Sequence, residues 1–265
     1  NHEAAWALRD LDGGRVVAAE FRDTAGNVLA VGDLIILDQQ APVCTSSVSG
    51  SYHSSQWPGA IEIQATDGTG EVQGASITLT RQSDGFSFDG LEFVNDLVPL
   101  AVPTPALWSI ELPAGIMLDS RYVLTCLATD SAGNSGSDES TFTIDSTPPG
   151  CVINAPPLAG PASWPNAVEG TAADDFSDVS SVSLSIQRDT DSRYFNGLGW
   201  QPAPFFAVAS GTDDWSVPLP AAQLTNGAEY SFICRATDQA GNTGEEGPHV
   251  LTFDSAVPVG SFAIG

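Results

Sequence analysis

Two short strings recur along this chain at nearly the same interval, and that interval limits what the chain can fold into. Asp-x-Ala-Gly-Asn begins at Asp23, Asp130 and Asp238, 107 and 108 residues apart. Asp-x-x-x-Pro begins at Asp38, Asp145 and Asp254, 107 and 109 residues apart. Trp57-Pro58 with Trp164-Pro165, Arg81 with Arg188, Gly90-Leu91 with Gly197-Leu198, and Trp108-Ser109 with Trp215-Ser216 keep the same register. A period of this length marks structural units placed one after another along a polypeptide. Setting the boundary at the second string gives the closing part of a repeat over 1–41, complete repeats over 42–148 and 149–257, and the first strand of a further repeat over 258–265. The chain reads as a window on a longer array. The other arrangement is a filament subunit whose split ends complete a neighbouring chain by strand exchange.

Inside each repeat the apolar period is two, as in half-buried strands. Ile61, Ile63 and Ala65 correspond to Val168, Gly170 and Ala172; Ala75, Ile77 and Leu79 to Val182, Leu184 and Ile186. Tyr122, Leu124, Cys126 and Ala128 correspond to Tyr230, Phe232, Cys234 and Ala236, and Phe142 and Ile144 to Leu251 and Phe253. Gly, Pro, Asn and Asp separate these runs, and no stretch has a helical period. About seven antiparallel strands in each unit of this size predict an all-β fold of tandem immunoglobulin-like sandwiches, arranged as an elongated array.

The four cysteines take matching places in the two complete repeats, the first just after the boundary proline and the second on the core face of the penultimate strand. This predicts disulfides Cys44–Cys126 and Cys151–Cys234 and an oxidising compartment, extracellular or on the cell surface. Ala19 and Gly260 stand at the equivalent places in the partial repeats, so the fold does not depend on the bridge.

Charge removes several function classes. There are 33 acidic residues against 8 basic ones, every one of them Arg, for a net charge of −25. Such a surface repels nucleic acid and anionic membranes and attracts divalent cations. Without Lys there is no Schiff-base or phosphate-loop lysine. No apolar run reaches the ~20 residues of a membrane-spanning helix. Asn1-His2-Glu3 carries no mark of an export signal, which is expected outside this segment or removed. Only His2, His53 and His249 are present, unrelated in repeat position, and no Gly-x-Ser-x-Gly occurs, so the sequence predicts no enzyme. Trp200, Phe205 and Phe206, opposite Phe93 and Leu100 of the other repeat, suit either a cap on the core or sugar stacking.

The run Trp215, Pro218-Leu219, Leu224, Gly227, Tyr230, Cys234-Arg235-Ala236-Thr237-Asp238-Gln239-Ala240-Gly241-Asn242, Phe253-Asp254 and Pro258 resembles the closing half of bacterial Ig-like repeats of large surface adhesins and biofilm-type extracellular proteins. The pattern returns over Trp108–Pro149 and, eroded, over Trp6–Pro42, and Tyr194-Phe195-Asn196-Gly197 resembles the mid-domain hairpin of such repeats. Tyr stands four residues before the strand cysteine, not two as in antibody domains. The resemblance implies an adhesive or spacing role in a stalk or filament. It also implies calcium at repeat junctions, neighbouring repeats or identical chains as partners, and a surface glycan or protein receptor as a target. A second reading is a non-catalytic accessory or carbohydrate-binding module of a secreted hydrolase.

Strand direction gives the calcium expectation a test. In a seven-stranded antiparallel unit the second–third and sixth–seventh strand loops share the pole where the chain enters. At one junction this gathers Asp38, Asp67, Glu71, Asp130 and Asn134. At the next it gathers Asp145, Asp174, Asp178, Asp238 and Asn242, with Asp175 nearby. Oxygen ligands from separate loops are what calcium coordination needs. Simple turn chemistry, with Asp and Asn bonding their own backbone, accounts for the same residues.

Overall fold

The computed structural model describes residues 11–102, 107–258 and 260. Trp6, His2 and all but Pro258 and Gly260 of the strand expected over 258–265 lie outside them. The chain divides into two compact units: Asn1–Ser49, Pro58–Ile116 and Arg121–Phe142 in one, Gly50–Trp57, Met117–Ser120 and Thr143–Gly265 in the other.

The first unit opens with a hairpin of β1 (Gly13–Arg22) and β2 (Val28–Leu37), paired from Gly13–Leu37 to Arg22–Val28. Then come β3 (Val43–Ser46), β4 (Ala60–Thr66), β5 (Val72–Arg81), β6 (Trp108–Glu111), β7 (Ser120–Asp130) and β8 (Ser135–Ile144). One sheet has the order β6-β4-β3, and the other runs β8-β7-β5 and on into short strands Ser87–Phe88 and Phe93–Val94. The second unit repeats this with β9 (Gly150–Ile153), β10 (Ala167–Ala173), β11 (Val179–Arg188), β12 (Asp214–Pro218), β13 (Ala228–Asp238) and β14 (Thr243–Phe253). Its sheets are β9-β10-β12 and β14-β13-β11, the latter continuing into Arg193–Phe195 and Trp200–Gln201. The fold is all-β. Helical structure among the described residues is limited to single 3-10 turns at Ser54–Gln56, Ala114–Ile116 and Ala221–Gln223. None of these is long and apolar enough to cross a membrane.

Alternation puts the period-two residues inside. Tyr122, Leu124, Cys126 and Ala128 of β7 are buried, and so are Ile61, Ile63, Ala65, Ile77, Leu79, Phe142 and Ile144. The second core gathers Val168, Ala172, Val182, Leu184, Ile186, Trp215, Tyr230, Phe232, Cys234, Leu251 and Phe253. Each fully buried aliphatic or aromatic side chain contributes about 1.5–3 kcal/mol. Cys44 bonds Cys126 and Cys151 bonds Cys234, each with Cα atoms 6.2 Å apart, joining the two sheets of their sandwich. At the rim of each core an arginine repeats one arrangement. Arg81 pairs with Asp84 and lies over Phe93, and Arg188 pairs with Asp191 and lies over Trp200. Tyr230 is held at its hydroxyl, which accepts the Thr225 N–H at 2.6 Å, so the tyrosine four residues before the cysteine still pins the turn upstream of its strand.

The β1–β2 hairpin lacks such cover. Phe21 is 60% exposed, whereas Ala128 at the matching place is fully buried; Ile35 is 42% exposed and its counterpart Phe142 1%.

Candidate metal centres

Each centre starts from a turn that the sequence builds for itself. Asp130 closes β7, and its Oδ1 accepts the N–H groups of Ala132 at 2.8 Å and Asn134 at 2.9 Å. Gly133 takes φ +94° so that the chain can return, a conformation that costs glycine little. Asp238 does the same for Asn242 at 2.9 Å, with Gly241 at φ +91°. The exposed hairpin carries a third copy, in which Asp23 accepts from Ala25 and Asn27. The turn chemistry expected of Asp-x-Ala-Gly-Asn is therefore present at all three sites.

The asparagines reach further. Asn134 Nδ2 donates to Asp130 Oδ2 at 2.8 Å and to the backbone carbonyl of Asp38 at 3.2 Å. Asn242 Nδ2 donates to Asp238 Oδ2 at 2.8 Å and to the carbonyl of Asp145 at 3.1 Å. These bonds bring the segment after β2 to the β7–β8 turn, and the segment after β8 to the β13–β14 turn. The third acid comes from the preceding loop: Asp67 Oδ1 accepts from Thr69 and Gly70, and Asp174 Oδ1 from Phe176 and Ser177.

The outcome is two carboxylate trios. One oxygen each from Asp38, Asp67 and Asp130 lies within 4.8 Å of the others, as does one each from Asp145, Asp174 and Asp238. Asp130 and Asp145 are fully buried, and Asp38 is 9% exposed. Glu71 and Asp178 stand outside the trios. Their side chains are exposed, and their carbonyls accept the N–H groups of Ser131 and Gln239. Asp175 is also exposed.

Crowded, dehydrated carboxylates disturb one another's ionisation. Burial pushes the Asp38 carboxyl up, opposed by the Gln40 N–H and reinforced by the charges of Asp67 and Asp130. Burial also pushes Asp130 up, but the Asn134 amide and the backbone N–H groups of the turn outweigh it and hold Asp130 below the ordinary range. In the second trio, burial raises Asp174. Asp145 is raised by burial too, yet ends low because Ser177 and Thr147 donate to it.

The first trio fits a hard divalent cation on two observations. Asp38 Oδ2 and Asp67 Oδ2 are buried with no hydrogen-bond partner. Gly70 leaves open the space beside Asp38, where a Cβ would collide with Oδ2. Two unsatisfied anionic oxygens, beside a third carboxylate brought in by another segment, are the kind of donors an oxygen-ligated ion uses. A cavity of about 460 Å³, lined by Ile36, Asp38, Thr69, Gly70, Glu71, Ser131 and Ala132, opens beside it. Sequence reasoning missed Gly70, Thr147 and Ser177. Their common offset of two or three residues from an expected ligand was the only available signal.

The other groups considered for chemistry are engaged locally. His53 Nδ1 lies 2.6 Å from Ser55 Oγ and accepts the Ser55 N–H, capping a 3-10 turn. His249 stacks on Phe232. Trp200 packs against Phe195 and Tyr230, carries Arg188 over its ring, and donates Nε1–H to the Gln223 carbonyl at 3.1 Å. Arg235 lies over Phe206, and Phe205 packs on the core.

The fold and its two oxygen-rich centres define a class: tandem Ig-like sandwich modules with acidic clusters at their loops. No family model matches the chain, and no curated protein matches it. Solved structures similar to it include a tetra-tandem repeat from the extending region of a large adhesion protein, at 17% identity and TM-score 0.35, matching 93% of this chain and 58% of that one. Part of a 1.5-MDa bacterial ice-binding adhesin matches at 14% identity and TM-score 0.35, over 84% of this chain and 68% of that one. Fibronectin(III)-like modules of Clostridium thermocellum CbhA match at 14% identity and TM-score 0.30, over 80% of this chain and 94% of theirs. The chain thus spans less than two thirds of the first of these.

Proposed function

We propose that this chain is a non-catalytic structural and adhesive segment of an extracellular repeat protein, a stalk or filament component stiffened by calcium at its carboxylate trios. The observation that carries the reading is that one sandwich, with its own disulfide and its own converging trio of acids, is built twice from one polypeptide. A repeated trio serves each unit alike, which suits a load-bearing or spacing element. The disulfides call for an oxidising compartment. When bound, calcium would be held by Asp38, Asp67 and Asp130, and by Asp145, Asp174 and Asp238, and would neutralise carboxylates that otherwise repel each other. Calorimetry of chelated and calcium-loaded protein tests this: a rise in melting temperature with calcium is expected, and identical thermograms would sink the reading.

A second reading, a filament subunit joined by strand exchange, draws on the hairpin. Phe21 and Ile35 are exposed at places that are buried in the complete sandwiches, so strands of an identical chain have a surface to cover. Light scattering across a concentration series distinguishes the two: mass growing with concentration supports exchange, and a constant monomer mass rejects it.

A further inference from the structure

The two trios are built from equivalent acids, but two of the residues that support them differ, Gly70 for Ser177 and Gln40 for Thr147, and both changes fall on the donors to Asp38 and Asp145. In the second trio Ser177 donates its hydroxyl to Asp145 Oδ2 at 2.5 Å, while Thr147 donates both N–H and hydroxyl to Oδ1. Both oxygens of Asp145 are therefore satisfied from within the protein. The equivalent of Ser177 in the first unit is Gly70, and the equivalent of Thr147 is Gln40, which gives Asp38 Oδ1 one backbone N–H at 3.1 Å. Asp38 Oδ2 receives nothing, though Asp38 is more than nine-tenths buried.

From this asymmetry we infer that Gly70 and Ser177 set unequal cation affinities: the first trio fills first, and the Ser177 hydroxyl stands in for the ion at the second. The inference rests on the cation reading proposed above. A buried carboxylate oxygen without a partner is costly, and an entering cation relieves that cost. At Asp145 the entering ion must first displace a charge-assisted hydrogen bond, which lowers affinity about tenfold or more. The cavity beside Asp38 also gives the first trio a route for the ion and room for its remaining waters.

Calcium titration of the whole chain by isothermal calorimetry tests this, with each binding class assigned by Asp67→Asn and Asp174→Asn. Both substitutions keep an Oδ1 for the loop N–H groups that define the turn. Expected are two classes at least tenfold apart, the tighter one lost in Asp67→Asn. Neither Gly70 nor Ser177 has positive φ, but a Cβ at residue 70 would meet Asp38 Oδ2, so Gly70→Ser crowds that oxygen as well as offering it a hydroxyl, and Ser177→Gly, which only removes atoms, is the decisive exchange. Gly70→Ser is expected to weaken the tight class and Ser177→Gly to strengthen the weak one. Circular dichroism checks that each variant folds. Equal classes, or exchanges that leave both affinities unmoved, overturn the inference alone. If the Ser177 hydroxyl turns to offer its oxygen to the ion, Ser177→Gly weakens the second class, and the inference fails. No calcium heat from any form overturns the cation reading with it.

Discussion

Trp215 occupies the space that a side chain on Gly170, its cross-strand partner, would fill. A Cβ at residue 170 would collide with Cζ2 and Cε2 of the indole, and the Val152 carbonyl closes the position from the other direction. At the matching place in the first unit Ile63 stands opposite Trp108, and there the indole is only half-buried. The two units thus fill the same rung of one ladder with different pairs of side chains.

Gly170→Ala is accordingly expected to cost about 1–3 kcal/mol, the usual penalty of overpacking, because neither the indole nor the strand backbone has room to give way. Urea unfolding of the second unit measures it. An unchanged midpoint would show that Trp215 can move aside.

Each disulfide spans a long stretch of chain, 82 residues for Cys44–Cys126 and 83 for Cys151–Cys234. In the chain-entropy account, removing either lowers stability by roughly 4–5 kcal/mol. Replacing both cysteines of one bridge by Ala should lower the melting temperature of that sandwich and leave the other in place. Two separate transitions in calorimetry would record this.

Acid should weaken both core rims. The guanidinium of Arg81 beside Asp84 holds that carboxyl below its ordinary value, and Arg188 does the same for Asp191. A carboxylate with a depressed folded-state pKa adds stability that is fully present above its unfolded value, about 3.9, and is lost as pH falls through the folded one. The contribution is therefore constant from neutrality down to about pH 5 and declines below about pH 4. Asp84→Asn and Asp191→Asn should flatten the acid limb of a melting temperature–pH curve and leave its slope near neutrality unchanged.

Asp38→Asn separates the cost of the first trio from its use. In chelator the substitution removes one of three mutually repelling acids and gives residue 38 an amide donor. The metal-free protein should gain stability, on the order of 1 kcal/mol. In calcium the same variant should lose most of the increment that the wild-type chain shows. Paired melts with and without calcium give both numbers, and a variant less stable than wild type in chelator would contradict the first expectation.

Much of this molecule is legible in its sequence. The period of two placed Tyr122, Leu124, Cys126 and Ala128 on one face because a strand offers only two faces. The cysteine partners followed because equivalent places in a repeated fold have equivalent neighbours. Strand direction brought Asp38, Asp67 and Asp130 to one pole. The same reasoning groups Glu71 and Asp178 with them, but each engages its loop through the backbone carbonyl and leaves its side chain exposed, which strand direction alone does not specify. The Gly70–Ser177 exchange carried no signal, since its meaning depends on where a single hydroxyl lies relative to one carboxylate oxygen. Gly170 read as one more inward strand position, because its partner Trp215 is distant in the sequence.

Asn134 and Asn242 grip the main chain of residues 38 and 145 rather than their side chains. A fastening of that kind is blind to which amino acid it holds. Evolution or an engineer can rewrite the acids for a different ion, or for none, while the clasp stays shut. Opening it takes a change at the asparagine itself.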